Sequence, residues 1–185
     1  MNKKRRIGFD FDKIFVNYPP LIPDFVINYF YKKRNGSLTY RMPGKFERQL
    51  RIISHLPLFR SPIKENINSL KRISADENNQ TYLVSSRFSF LKNKTNKWLS
   101  TNMLNKYFDG IYFNFENNQP HLFKDKVIKK EKIQQFIDDD LDLLIYLSKQ
   151  NPKVKFYWIT KTSVNTFNKN IIPIKTVEEF VTKYL

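Results

Sequence analysis

The chain has 185 residues, 41% hydrophobic and 16% aromatic, enough to bury a core and to form one domain with an insertion rather than a disordered chain. It has no cysteine, which excludes disulfides and thiolate zinc sites and fits a reducing, cytoplasmic setting. Against 17 Asp and Glu stand 33 Lys and Arg, a net charge of +16 that attracts polyanions, whether nucleic acid or phosphorylated metabolites. The same Lys, Asn, Ile, Phe and Tyr richness, with Ala75 the one alanine, is also what an A/T-biased genome writes, and the basic residues are spread without a long block. Charge alone therefore decides little.

The basic start, residues 1–6, leads into a short apolar run that Asp10 and Asp12 interrupt, unlike a signal peptide. No run approaches the roughly 20 apolar residues that span a bilayer, so no membrane partner is expected.

The first strand is predicted over residues 6–11. On an extended segment, side chains two apart project to one side, which would set Asp10 and Asp12 together while Phe11 turns away. Paired buried carboxylates cost several kcal/mol unless a cation, a shared proton or water compensates them. About 70 residues then precede the second strand, more than one crossover helix needs. Residues 22–36 read as a helix with Pro23 and Asp24 near its start and Gly36 as its stop. Residues 44–56 make a second helix. Residues 61–74 make a third, with Ser61 as N-cap and Pro62 at its first position. One helix must return to the sheet. The expected division is a core of residues 1–16 and 75–185, with 17–74 as a small helical cap plus return helix over the end of the sheet.

Further strands are expected at 81–85, 110–113, 135–137 and 155–159, alternating with helices at 93–102, 126–134 and 139–150. That alternation implies βαβ units and a parallel sheet. Pro152 ends the last of these helices, and Thr176 with Glu179 three residues on has capping-box spacing for a final one. In such sheets ligands bind outside the carboxyl ends of the strands. The groups delivered there are Asp10 and Asp12; Ser85, Ser86 and Arg87; Lys124 and Lys126 at a helix start; and Asp138, Asp139, Asp140 and Asp142. Taken singly, each reads more simply as a turn, a cap or a solvated edge. Their shared placement at strand ends argues for a site.

In order and placement these segments resemble the haloacid dehalogenase superfamily. "IGFDFDKIFV" is similar to its first motif, a strand ending in Asp-x-Asp, and "TYLVSSR" to its second, a strand ending in Ser or Thr. "FKDKVI" matches the third, a lysine opening a helix, and "FIDDDLD" the fourth, an acidic pair. The resemblance covers roughly residues 5–145 and implies an α/β fold, a Rossmann-like three-layer parallel sheet with a small helical cap after the first strand. "YLVSSRFSFLKNKTNKWL" followed by "FDGIYF" is similar to the small 5'-nucleotidases acting on deoxyribonucleotides. Lys13 and Ile14 depart from the pattern, standing where many members have Gly and Thr or Val.

The resemblance implies a Mg²⁺-dependent phosphomonoester hydrolase acting on a small phosphorylated substrate, nucleotides included. Asp10 would be nucleophile and metal ligand. Asp12 would serve as acid and then base, and would reach the metal through its backbone carbonyl. Ser85 would bind the phosphoryl oxygens, and Lys124, or else Lys126, would offset charge. Asp138 or Asp139 would complete the metal shell, with Ser86 contacting substrate. Beside these, the Arg87 guanidinium suits either a second anionic group of the substrate or a surface ion pair. His55 and His121 read as structural. Tyr18, Phe25, Tyr29, Phe30 and Tyr31 offer either a base-stacking wall or simply the packed face of the first inserted helix. Two alternatives stay open: a nucleic-acid-end phosphatase or RNA- or DNA-associated module, suggested by the charge, and a catalytically silent binding protein.

Overall fold

The computed structural model of the chain describes residues 4–18, 32–33, 38–56, 59–161 and 169–185. The described elements, in chain order, are β1 (Arg5–Phe9), β2 (Lys32–Lys33), β3 (Thr39–Tyr40), α1 (Lys45–Ser54), α2 (Lys64–Ala75), β4 (Asn79–Ser85), α3 (Lys92–Thr101) and β5 (Gly110–Phe113). They continue with α4 (Pro120–Lys130), β6 (Gln135–Asp138), α5 (Leu141–Gln150), β7 (Lys155–Ile159), β8 (Ile171–Ile174) and α6 (Val177–Tyr184).

Six strands form one parallel sheet in the order β5-β4-β1-β6-β7-β8. The period of two along its strands builds two cores. On one face Ile7, Phe9, Leu83, Ile137, Tyr157 and Ile174 pack against α2, α3 and α6 through Leu70, Leu99 and Phe180. On the other, Tyr82, Val84, Phe136 and Phe156 pack against α4 and α5 through Val127, Ile128, Leu144 and Leu147. The result is the three-layer α/β arrangement expected from the alternating pattern.

β1 sits where the strand order reverses, paired with β4 on one side and β6 on the other, so its carboxyl end opens at the crevice such sheets use for ligands. Strand geometry stops at Phe9, although the Asp10 N–H still donates to Ile137 O at 2.9 Å. Beyond it the chain turns: the Lys13 N–H donates to Val16 O at 2.8 Å, and Lys13 has φ of 58°. That left-handed conformation is open to glycine at no steric cost and is uncommon for a residue with a side chain such as lysine.

Several predicted boundaries are corrected. α4 begins at Pro120, six residues before the expected start, because proline at the first helical position sets it there. α2 begins at Lys64 with Ile63 as N-cap, not at Pro62, which is drawn into an antiparallel bridge with Val16. β8 is an addition to the expected strands: Pro173 argues against a central strand, but β8 is an edge, where the absent N–H costs no ladder bond. The predicted helix 22–36 lies mostly outside the described residues, together with Phe25, Tyr29, Phe30 and Tyr31. At its described end Lys32–Lys33 pairs antiparallel with Thr39–Tyr40 instead. The final helix starts as expected, the Glu179 N–H donating to Thr176 Oγ1 at 3.1 Å, while the Glu179 carboxylate accepts from the Lys175 N–H.

Gly8 faces the aromatic side of the sheet, where an added Cβ would lie 2.6 Å from Phe136 Cδ2 and 3.0 Å from Ile133 Cδ1. Both neighbours are buried, so neither can move aside cheaply. Gly8→Ala is expected to destabilise the fold by about 1–3 kcal/mol, read as a lower urea midpoint with an unchanged m-value.

Candidate functional site

Two strand ends and one helix build the acidic cluster of the site. β1 delivers Asp10, β6 delivers Asp138 and Asp139, and α4 delivers Lys124 from its second turn. One carboxylate oxygen from each of Asp10, Asp138 and Asp139 lies within 4.8 Å of the other two. The Lys124 ammonium is shared between Asp10 Oδ1 at 2.8 Å and Asp138 Oδ2 at 2.6 Å. Lys124 is 2% exposed, a burial that a charged lysine tolerates only with such partners. Lys126 lies on the exposed side of the same helix and takes no part. Asp138 also accepts from the Asp140 N–H at 3.0 Å, and Lys13 Nζ sits 3.1 Å from Asp139.

Burial, opposed by Lys124 and reinforced by neighbouring carboxylates, pushes the Asp10 carboxyl up to about 8. Burial likewise raises Asp139 to about 7, with Asp138 adding to it and Lys13 opposing. A divalent cation relieves that crowding. Mg²⁺ binds oxygens at about 2.0–2.1 Å, so opposite ligands stand about 4 Å apart, and three oxygens within 4.8 Å need only a small contraction to hold it. The donor set is all oxygen, as a hard cation requires.

Asp12 does not share that cluster, contrary to the expectation that the two first-motif carboxylates sit together. With strand geometry ended at Phe9, the alternation that would align them no longer applies. The Asp12 carboxylate accepts a fork from Arg87, Nε at 2.9 Å and Nη2 at 2.6 Å, and a third bond from Arg60 Nη1 at 3.2 Å. Although burial alone would raise it, the two guanidiniums hold this carboxyl well below the usual carboxylate range.

Ser85 ends β4 fully buried, its carbonyl accepting from the Asn114 N–H at 3.2 Å. The neighbouring Ser86 hydroxyl is buried with no hydrogen-bond partner among the described residues. A buried hydroxyl left in that state is the kind of group a bound anion satisfies. His121, one turn before Lys124, packs between the rings of Tyr40 and Tyr146, which supports its structural reading. His55 is buried against Arg60.

Four contributors escaped sequence reading. Arg60 and Thr95 reach the Asp12 side, Thr95 accepting from Arg87 Nη1 at 3.0 Å. Tyr40 and Gln119 close the other side. The Gln119 amide pairs with the Tyr40 backbone, accepting from its N–H at 2.9 Å and donating to its carbonyl at 3.2 Å, and the Tyr40 hydroxyl donates to Asp140 at 3.0 Å. Arg60, Tyr40 and Gln119 depend on contacts between segments far apart in sequence, while Thr95 lies eight residues from Arg87 and carries no signal of its own as a letter.

No family model and no curated protein matches the chain. Solved structures do. A haloacid dehalogenase-like hydrolase from Streptococcus pneumoniae shares 14% identity over 100% of both chains, with a TM-score of 0.58. A subfamily IA hydrolase of that superfamily from Geobacter sulfurreducens shares 14% identity over 97% of this chain and 96% of its own, also at 0.58. An enzyme of that superfamily from Bacteroides thetaiotaomicron, in complex with magnesium and inorganic phosphate, shares 16% identity over 87% of this chain and 96% of its own, at 0.53. The fold is that of the haloacid dehalogenase-like hydrolases.

Because Asp10 and Asp139 bind protons more tightly folded than unfolded, they contribute stability below about pH 4 that is lost as pH rises through about 7 to 8. A metal-free sample is therefore expected to lose Tm between pH 5 and 8, and added Mg²⁺ to raise Tm more at pH 8 than at pH 5, measured by differential scanning fluorimetry. A Mg²⁺ response independent of pH would contradict this account of the cluster.

Proposed function

We propose that the chain is a Mg²⁺-dependent phosphomonoester hydrolase working through an aspartyl-phosphate, with small phosphorylated metabolites, nucleotides among them, as its substrate class. The observation that carries this reading is the convergence of the Asp10, Asp138 and Asp139 carboxylates around the Lys124 ammonium at the carboxyl end of the sheet. When bound there, Mg²⁺ would neutralise the charge that otherwise keeps an anionic nucleophile from an anionic phosphate. Asp10, Asp138 and Asp139 would hold it through their carboxylates, and Asp12 through its backbone carbonyl. In this reading residues 17–74 supply a small cap plus the return helix α2 to the core of residues 1–16 and 75–185, and the protein works in the cytoplasm.

Asp10 attacks phosphorus, and the bond to the leaving-group oxygen breaks as that oxygen takes a proton from Asp12. Water then surrenders a proton to Asp12 and displaces the Asp10 carboxylate, releasing inorganic phosphate. Ser85 donates to the phosphoryl oxygens, Ser86 and Arg87 bind substrate, and Lys124 offsets the charge shared by Asp10 and the phosphate. The resting Asp12 carboxylate, gripped by Arg87 and Arg60, is already in the form the second step needs. For the first step it must be loosened from that grip, which substrate arrival can do, and must then take up a proton from solvent water.

A second reading takes the end of a nucleic acid as the substrate, favoured by the net charge of +16. The two readings differ in salt dependence. Binding of a phosphorylated oligonucleotide should weaken at least about tenfold between 50 and 200 mM salt, whereas turnover of a small ester should change far less.

Hydrolysis of an aryl phosphate should require Mg²⁺ and fall by at least about 10³-fold in Asp10→Asn. Absence of any phosphatase activity in the wild-type protein, across a broad panel of phosphomonoesters with Mg²⁺, would leave the binding-protein reading in place of this one.

A further inference from the structure

Arg87 by itself satisfies Asp12, its fork spanning both carboxylate oxygens at 2.9 and 2.6 Å. Arg60 nevertheless adds a second guanidinium to the same Oδ1, at 3.2 Å, from the segment between α1 and α2. Both arginines are buried, 4% and 7% exposed, and Asp12 is the only carboxylate that bonds either one among the described residues. The remaining Arg60 contacts are neutral: the carbonyls of Ser54 at 3.1 Å and Asn17 at 3.5 Å, and the His55 ring at 3.0 Å. A second buried cation beyond what one carboxylate can balance is costly, and an incoming anion offsets that cost.

The pair is also rigidly presented. The Trp98 indole N–H donates to the Arg60 carbonyl at 2.7 Å, and Thr95, three residues earlier on the same face of α3, orients Arg87. The Phe11 ring backs Arg87 with its centroid 4.4 Å from Cζ, and the Tyr18 ring backs Arg60 at 4.8 Å. His55 completes the mounting. Its Nδ1 lies 2.7 Å from the Arg51 carbonyl, which assigns the ring proton there and leaves Nε2 to accept from Arg60 Nη2. Burial and the two arginines keep this imidazole neutral, down at about 3, so it orients Arg60 without repelling it.

We propose that Arg60 and Arg87 form a subsite for a second anionic group of the substrate, a phosphate or phosphodiester on the leaving-group side of the scissile phosphate, with His55 as the positioning residue for Arg60. The placement rests on the phosphohydrolase reading, in which Asp12 faces the leaving-group oxygen: the guanidiniums gather on Asp12, whereas the Lys124 cluster surrounds the attacking group. The second anion takes Arg60 as its partner and so relaxes the grip on Asp12. It can come from a small bisphosphate or from the first phosphodiester next to the phosphorylated end of a nucleic acid. The chemistry recognised is the same.

The test compares an aryl phosphate, a hexose bisphosphate and a 3'-phosphorylated dinucleotide. It measures kcat/KM for the wild-type, Arg60→Gln and Arg60→Lys proteins, and Kd by calorimetry with Mg²⁺ for Asp10→Asn and for Asp10→Asn carrying either Arg60 change. At least one doubly anionic ligand should be preferred over the aryl phosphate by about tenfold or more, and Arg60→Gln should erase most of that ratio. Arg60→Lys, which keeps the charge but loses the planar fork, should fall between, and it carries the test should Arg60→Gln fail to fold. Preference for the bisphosphate or for the dinucleotide identifies the source of the anion. Equal Kd for singly and doubly anionic ligands, or a ratio untouched by either Arg60 change, overturns the subsite. Preferential binding without hydrolysis of any ligand would sink the hydrolase reading and leave the subsite standing.

Discussion

The Lys124 ammonium, bonded at once to Asp10 and Asp138 in a place water scarcely reaches, is the contact on which the rest of the site depends. Without it the ends of β1 and β6 would bring carboxylates together with, among the described residues, no cation beside them but Lys13, a repulsion that burial strengthens rather than screens. With it, two strand ends and a helix are locked into one unit. Its position follows from local rules. Pro120 starts α4 early enough that Lys124 faces inward on the second turn, while the Asp140 N–H, just ahead of α5, steadies Asp138 from the other side.

The chemistry divides around this unit into two electrically opposite halves. Among the described residues, Asp10, Asp138 and Asp139 outnumber Lys124 and Lys13 on one side, while Arg60 and Arg87 outnumber Asp12 on the other. The first is suited to a divalent cation, the second to an anion, and Asp10 and Asp12, two residues apart, belong to different halves. Residues between β1 and β4 touch both. Tyr40 docks on Gln119 and Asp140 beside the acidic half, and Arg60 enters the basic half. Residues of the one insertion thus contact both halves.

Much of the architecture was legible because it is periodic. Alternating strand residues and helix faces set the βαβ order, and the apolar positions that build the two cores lie at those periods. Boundaries were less legible where a tertiary contact overrode a local signal: Pro62 looks like a helix start until Val16 pairs with it, and Pro173 argues against a strand until β8 proves to be an edge. Lysines 124 and 126 are indistinguishable as letters. Only the helical phase set by Pro120 sends one inward and leaves the other in solvent.

By itself the sequence determined which residue types reach the strand ends, since a strand's hydrophobic run and its polar terminus are local facts that need no partner. It thereby fixed Asp10, Ser85 and the Asp138–Asp139 pair as groups at the carboxyl edge of a parallel sheet. Which of those groups meet was decided only by the tertiary structure. Arg60 and Arg87 lie 27 positions apart, and both lie far from Asp12, 48 and 75 positions along the chain from it. Long-range electrostatic pairing depends on where the chain returns in space, and no periodicity along the chain encodes that.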